Sequence, residues 1–219
     1  RVLDVVDRLY PDTYVIYVGG NGTWMFGANR EFIDNLYITR VGRSKGTAYQ
    51  SGVHVPMVIR GPRVRAGAST DVPVHSVALF PTILGLAGLP VPARVPGRNA
   101  GSIVDVDGVS LLPVLFDGAT GVRAPDRGYL LAETVNPVRQ NLRHVAARNA
   151  RYKLVCANGT TAASCEFYDL QADPLEEYPL PEPADCGAFG RGSLAPPARD
   201  WHFCRLQQVI ATESSMRGG

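Results

Sequence analysis

The chain has 219 residues, with 22 Lys and Arg against 20 Asp and Glu, so its formal net charge is only +2. That balance gives no electrostatic case for nucleic acid or an anionic membrane as a partner. Hydrophobic residues make up 45% and charged residues 19%, the mix of a folded globular protein. No uninterrupted apolar run approaches the roughly 20 residues of a membrane span.

In chain order, residues 1–9 place Val2, Leu3, Val5, Val6 and Leu9 at helical spacing, and Pro11-Asp12 ends the segment. The chain opens at Arg1 inside this apparent helix and shows no signal-peptide pattern, so it reads as a processed or truncated piece. Thr13 to Val18 is a strand apolar on both faces, the habit of a buried parallel strand. The long connection from Gly19 to Ser44 is expected to hold a short helix around Arg30 to Leu36, and connections of that length are usually functional. His54 to Arg60 is a second strand, closed by Gly61-Pro62. Val77 to Leu86 reads as a helix with Pro81 in its first turns, where proline is tolerated. Gly88 to Gly108 reads as a surface loop, and Ser110 as the cap of a short helix through Phe116.

From Gly128 onward short strands take over: Tyr129 to Glu133, Arg143 to Arg148, Arg151 to Ala157 and Ser164 to Leu170. Asn149-Ala150 and Asn158-Gly159 supply turns, which makes this an antiparallel meander. Pro179 to Pro197 is irregular, and His202 to Thr212 is a closing helix. Four cysteines stand at 156, 165, 186 and 204 without zinc-like spacing. Their even count in a loop-rich region favours two disulfides and an oxidising compartment over four reduced buried thiols. Three pairings are open, with Cys156–Cys165 and Cys186–Cys204 favoured.

Two glycine-rich loops stand beside apolar strands. Thr13-Tyr-Val-Ile-Tyr-Val18 runs into Gly19-Gly20-Asn21-Gly22, and Gly42-Arg-Ser-Lys45-Gly46-Thr47-Ala-Tyr49-Gln50-Ser-Gly52 precedes Val-His54-Val-Pro56. One loop carries an amide and the other an ammonium, which points to an anion site at a sheet edge.

These residues closely resemble the sulfatase family of the alkaline-phosphatase superfamily. In that family a strand runs into Ser-Asp-Asn-Gly, and Lys-Gly-Thr-x-Tyr-Glu-Gly-Gly-Val-Arg-Val-Pro follows later. The chain keeps Asn21-Gly22 and Lys45-Gly46-Thr47-Ala-Tyr49, but has Gly20 for the aspartate, Gln50 for the glutamate and His54 for the arginine. The likeness continues in order through Leu79-Phe-Pro81-Thr82, Asp107-Gly108-Val-Ser110, Arg151-Tyr-Lys153-Leu and Phe167-Tyr168-Asp169-Leu170…Asp173-Pro174, covering roughly residues 1–180.

The resemblance implies an α/β fold: a partial alkaline-phosphatase-like sheet over residues 1–127, then a small antiparallel subdomain with a closing helix over 128–219. It implies hydrolysis of small-molecule or glycan sulfate esters in a secreted or periplasmic setting. Lys45 would contact a sulfate oxygen, and the Asn21 amide oxygen would ligate Ca²⁺ or Mg²⁺. Each has a plainer reading, Lys45 as a solvated lysine and Asn21-Gly22 as a turn. Asn21-Gly22-Thr23 and Asn158-Gly159-Thr160 also fit glycosylation acceptors.

Departures from the family pattern weigh against activity. Gly20 supplies no carboxylate to a metal. Gln50 hydrogen-bonds but cannot neutralise a cation. The family nucleophile, a formylglycine made in a Cys/Ser-x-Pro-x-Arg segment, has no counterpart among these residues, nor do the early paired aspartates. The chain therefore resembles a C-terminal half, inactive alone, and the missing N-terminal half is expected to be encoded upstream. His54 reads as a strand histidine with a local partner and His75 as a cap or packing residue. His144 and His202 carry no signal, and Asp105 and Asp107 belong to a turn. The rival readings are a non-catalytic secreted binding protein derived from a sulfatase, and a phosphatase or phosphodiesterase of the same superfamily.

Overall fold

The structure, a computed structural model, describes residues 2–22, 43–123, 128–135, 143–157, 165–183, 186 and 198–216. The chain forms two compact units, one of Arg1–Tyr17 with Met57–Gly128 and one of Val18–Pro56 with Tyr129–Gly219. Residues 18–56 thus share a unit with the C-terminal meander.

In the first unit, α1 (Val2–Leu9) carries Asp4 in its first turn and Arg8 in its last, both complementing the helix dipole. Arg60, at the end of β2 (Met57–Arg60), pairs with Asp7 of α1. β2 is the sheet neighbour of β1 (Val15–Val18). β1 is shorter than the apolar run and only half-buried, with Tyr17 60% exposed, because β2 alone pairs with it among the described residues.

A 3-10 turn at Ser76–Ala78 leads into α3 (Leu79–Leu86). His75 caps this turn, its Nδ1 accepting from the Val77 N–H at 3.2 Å. The fully buried Thr82 hydroxyl donates to the Ala78 carbonyl at 2.6 Å and accepts from the Leu111 N–H at 2.8 Å, tying α3 to the entry of α4 (Leu112–Asp117). Leu111 rather than Ser110 occupies the cap of α4, although Ser110 Oγ accepts from the Leu112 N–H at 3.3 Å.

The stretch from Gly88 to Gly108 is not wholly loop. It contains a hairpin of β3 (Arg94–Pro96) and β4 (Ile103–Asp105) in the register Arg94↔Asp105, with a 2.7 Å ion pair between those two side chains. Three-residue strands are too short to show a two-residue alternation, so nothing in the sequence marks them. Asp105 consequently sits in a strand and not in a turn.

The second unit is built on the antiparallel sheet β5 (Leu130–Val135), β6 (Arg143–Arg148), β7 (Tyr152–Ala157) and β8 (Cys165–Asp169), in chain order. Asn149 closes the β6–β7 hairpin, its Oδ1 accepting from the N–H groups of Arg151 and Tyr152 at 2.9 and 2.7 Å. The Asn158-Gly159 turn and the helix expected near Arg30 to Leu36 lie outside the described residues.

Alternation along the strands assigns the two faces of the sheet. Val145, Ala147, Tyr152, Leu154, Cys156 and Phe167 pack against Phe203, Leu206 and Ile210 of α5 (Arg199–Met216). Those three helix residues, at spacings of three and four, form one stripe. Burying each is worth about 1.5–3 kcal/mol. On the opposite face Ala146, Val155, Tyr168 and Leu170 pack around Ala48. The disulfides are Cys156–Cys165, across β7 and β8, and Cys186–Cys204, which ties Cys186 to α5.

Candidate functional site

The Asn21 and Lys45 loops are joined by backbone. Gly22 N–H donates to the Gly52 carbonyl at 3.1 Å, and Gly19 N–H to the Pro56 carbonyl at 2.9 Å. The approach is so close that a Cβ at Gly22 would collide with the Ser51 and Gly52 carbonyls. A Cβ at Gly20, one residue before Asn21, would meet no atom of the described residues within 4 Å. Asn21 is exposed, and its Nδ2 donates to the Gly22 carbonyl at 2.8 Å.

Lys45 is exposed on a turn closed by Thr47, whose N–H and Oγ1 both donate to the Ser44 carbonyl, at 3.1 and 2.8 Å. The short helix α2 (Gln50–Val53) follows. His54 stands at its C-cap, donating its N–H to the Gln50 carbonyl at 2.7 Å, and so precedes the strand rather than lying in it.

Both flanks of the Lys45 turn are anchored to the sheet. On one side Arg43 Nη2 lies 2.9 Å from Glu166 Oε2 on β8, and its guanidinium sits 4.5 Å from the Tyr49 ring centroid. Tyr49 and Tyr168 donate their hydroxyls to the same carboxylate oxygen at 2.7 and 2.5 Å. On the other side, Glu176 Oε2 accepts from the Gln50 N–H at 2.6 Å. Glu176 Oε1 lies 2.7 Å from Lys153 Nζ of β7, an ion pair in which each side chain is 1% exposed. Gln50 Oε1 completes the network, accepting from Arg148 Nη1 and Lys153 Nζ at 3.3 Å each.

Burial sets the electrostatics of this layer. It pushes the Lys153 ammonium down to about 8, against the partial support of Glu176. It lowers Arg148 as well, again opposed by Glu176. Burial, then the hydrogen bond to Glu166, raises the Tyr49 and Tyr168 phenols, so both stay neutral donors. His144, edge-on to Tyr49 at 5.9 Å between centroids, is lowered by burial.

Sequence reading missed Arg43, Arg148, Lys153, Glu166 and Glu176 as parts of this layer. The only available signal was the strand alternation, which puts Lys153 and Val155, and Glu166 and Tyr168, on one face; that pattern equally describes a solvated face. As for a metal, no group of three His, Cys, Asp or Glu side chains gathers among the described residues. A hard cation takes six or more oxygens, so the Asn21 amide is at most one ligand of such a site, and these residues do not by themselves fit one.

Residues 1–89 match the sequence model of the Sulfatase family. An arylsulfatase of Chlamydomonas reinhardtii is 31% identical over 186 residues, 76% of this chain and 26% of its own length. Arylsulfatase K of Rattus norvegicus is 27% identical over 174 residues, 77% of this chain and 26% of its own. The solved structure of BT4656 with its substrate D-glucosamine-2-N,6-O-disulfate superposes with a TM-score of 0.63 at 21% identity, over 98% of this chain and 37% of that one. This chain therefore spans about a quarter of the length of the curated relatives it matches. Sequence and alkaline-phosphatase-like fold agree, and residues 1–89 of the chain carry the match to the sulfatase family.

Proposed function

We infer that this chain is the C-terminal portion of a sulfatase-like hydrolase of sulfate esters, with Lys45 as its sulfate contact. The single observation that carries the reading is the anchoring of the Lys45 turn on both flanks by Glu166 and Glu176, beside the backbone bond from Gly22 to Gly52. An exposed ammonium on an immobilised turn is suited to stabilise negative charge on sulfonyl oxygens as a nucleophile attacks sulfur. The substrate is a small-molecule or glycan sulfate ester, supported by the sulfated sugar bound by the BT4656 structure. The two disulfides support a secreted or periplasmic location.

Any Ca²⁺ or Mg²⁺ would need ligands beyond Asn21, supplied from outside these residues, as would the nucleophile. The 219 residues alone are accordingly inactive. In a second reading, favoured by Gly20, the protein keeps anion binding without turnover. The test pairs 4-nitrophenyl sulfate with 4-nitrophenyl phosphate, using the chain alone and the product of the gene read from further upstream. Sulfate-selective turnover by the longer protein, lost on Lys45→Ala, is the expected result. Phosphate-selective turnover would overturn it, and sulfate binding by the longer protein without turnover would establish the second reading.

A further inference from the structure

We propose that Glu176, acting through Gln50 at the start of α2, is a positioning residue that fixes the Lys45 turn on the C-terminal sheet. The proposal rests on the reading of Lys45 as the sulfate contact. The Gln50 N–H begins α2, where the chain has no helical acceptor for it, and the preceding Tyr49 offers no side-chain cap. Glu176 supplies the acceptor from 126 positions away. Its carboxylate is buried, and its second oxygen faces Lys153 on a central strand.

The backbone around Glu176 is shaped for this contact. Glu176 has a left-handed conformation, φ +59°, uncommon for a residue with a side chain. A turn holds it there: its N–H donates to the Asp173 carbonyl at 3.2 Å, and the Asp173 carboxylate accepts from the N–H groups of Glu177 and Tyr178 at 3.0 and 2.8 Å. A strained residue held by its neighbours, with its carboxylate on one backbone amide, fits a part that locates another element. Glu166 holds Arg43 and Tyr49 in the same way, so Lys45 stands between two anchored points.

The test compares two electrically neutral variants of the full chain, Lys153→Met/Glu176→Gln and Lys153→Met/Glu176→Met. Only the first keeps an acceptor for the Gln50 N–H. Amide hydrogen exchange over residues 45–53 should stay within about twofold of wild type in the first and accelerate at least about tenfold in the second, with α5 unchanged in both. Inorganic sulfate, titrated by NMR, should bind the second variant at least about fivefold more weakly than the first, a loss of about 1 kcal/mol. Equal exchange in the two variants overturns the proposal. If the Met pair fails to fold, the Gln50 amide proton decides. It should move on Lys153→Met/Glu176→Gln as the carboxylate acceptor becomes an amide, and an unmoved resonance overturns the proposal. Lys45→Ala keeps the readings apart: sulfate binding that survives it removes Lys45 as the contact, while exchange still reports whether Glu176 holds the turn.

Discussion

Lys153 Nζ lies 3.3 Å from Gln50 Oε1, and the same oxygen accepts from Arg148 Nη1, so one neutral amide stands between a buried ammonium and a half-buried guanidinium. Glu176 is the carboxylate that faces Lys153. Gln50→Glu, the residue of the family pattern, should therefore stabilise the chain by roughly 1–2 kcal/mol, since hydrogen bonds to charged groups exceed neutral ones. The pH dependence checks the cause. Lys153 titrates at about 8 when folded and near 10.5 when exposed, so between these values the unfolded chain holds more protons and stability rises with pH. Gln50→Glu should lift the folded value and flatten that rise. Urea midpoints at pH 7.5 and 9.5 for both proteins measure it, and an unchanged slope would remove Gln50 from the network.

His144 and His202 predict the acid side. Burial lowers both below their ordinary value of 6.5, with Arg151 adding to the effect at His202. The folded chain then binds fewer protons than the unfolded one, so this contribution is complete above about pH 6.5 and is lost as pH falls through the folded values. His202 stacks on Tyr152 at 4.7 Å and meets Asn149 Nδ2 at 3.0 Å, contacts that an imidazolium would disturb. Urea midpoints at pH 7.5 and 5.5 should fall on acidification, and less so in His202→Gln. An equal fall in the variant would assign the effect elsewhere.

Cys186–Cys204 joins Cys186 to α5, and Cys156–Cys165 joins two paired strands. The second is already a neighbouring pair in the sheet, whereas the first joins residues 18 positions apart that no strand pairing holds together. Cys186→Ser/Cys204→Ala should lower stability by about 3 kcal/mol, the chain-entropy value for a loop of this size. Thermal melts of each disulfide-less variant test the ranking, with non-reducing peptide maps to verify the pairing. A larger loss from Cys156→Ser/Cys165→Ser would reverse it.

The meander was legible because short strand-forming runs are separated by turn residues such as Asn149-Ala150; β6 matches its sequence reading at both ends. Of three open cysteine pairings, the one favoured from their even count and the Asn158-Gly159 turn is the one observed. The supporting layer was not, because Lys153, Glu166 and Glu176 are charged residues whose burial depends on a segment more than a hundred positions earlier. Strand alternation gives a face but not what covers it. The 3-10 turn and the β3–β4 hairpin were missed for another reason, each being three residues long. Gln50 is the instructive case: the sequence gives its inability to neutralise a cation, and the structure adds that two cations face it.

The glycines at 20 and 22 separate a missing function from a missing space. Gly22→Ala should loosen the Asn21 and Lys45 loops, because its Cβ would strike the Ser51 and Gly52 carbonyls, and backbone cannot step aside as a flexible side chain does. Gly20→Asp should fold as the parent does, within about 0.5 kcal/mol, since no atom of the described residues lies within 4 Å of the new Cβ. The added carboxylate stands next to Asn21 in sequence and supplies an oxygen donor of the kind a hard cation selects. Calorimetry should then show tighter Ca²⁺ binding in Gly20→Asp than in the parent, with no hydrolysis of 4-nitrophenyl sulfate by either, because a carboxylate here does not replace a nucleophile. Turnover above that of a Lys45→Ala control would sink the inactive reading. Unimproved Ca²⁺ binding in a well-folded Gly20→Asp would mean that this loop does not face the metal position, and Asn21 would lose its assigned role with it.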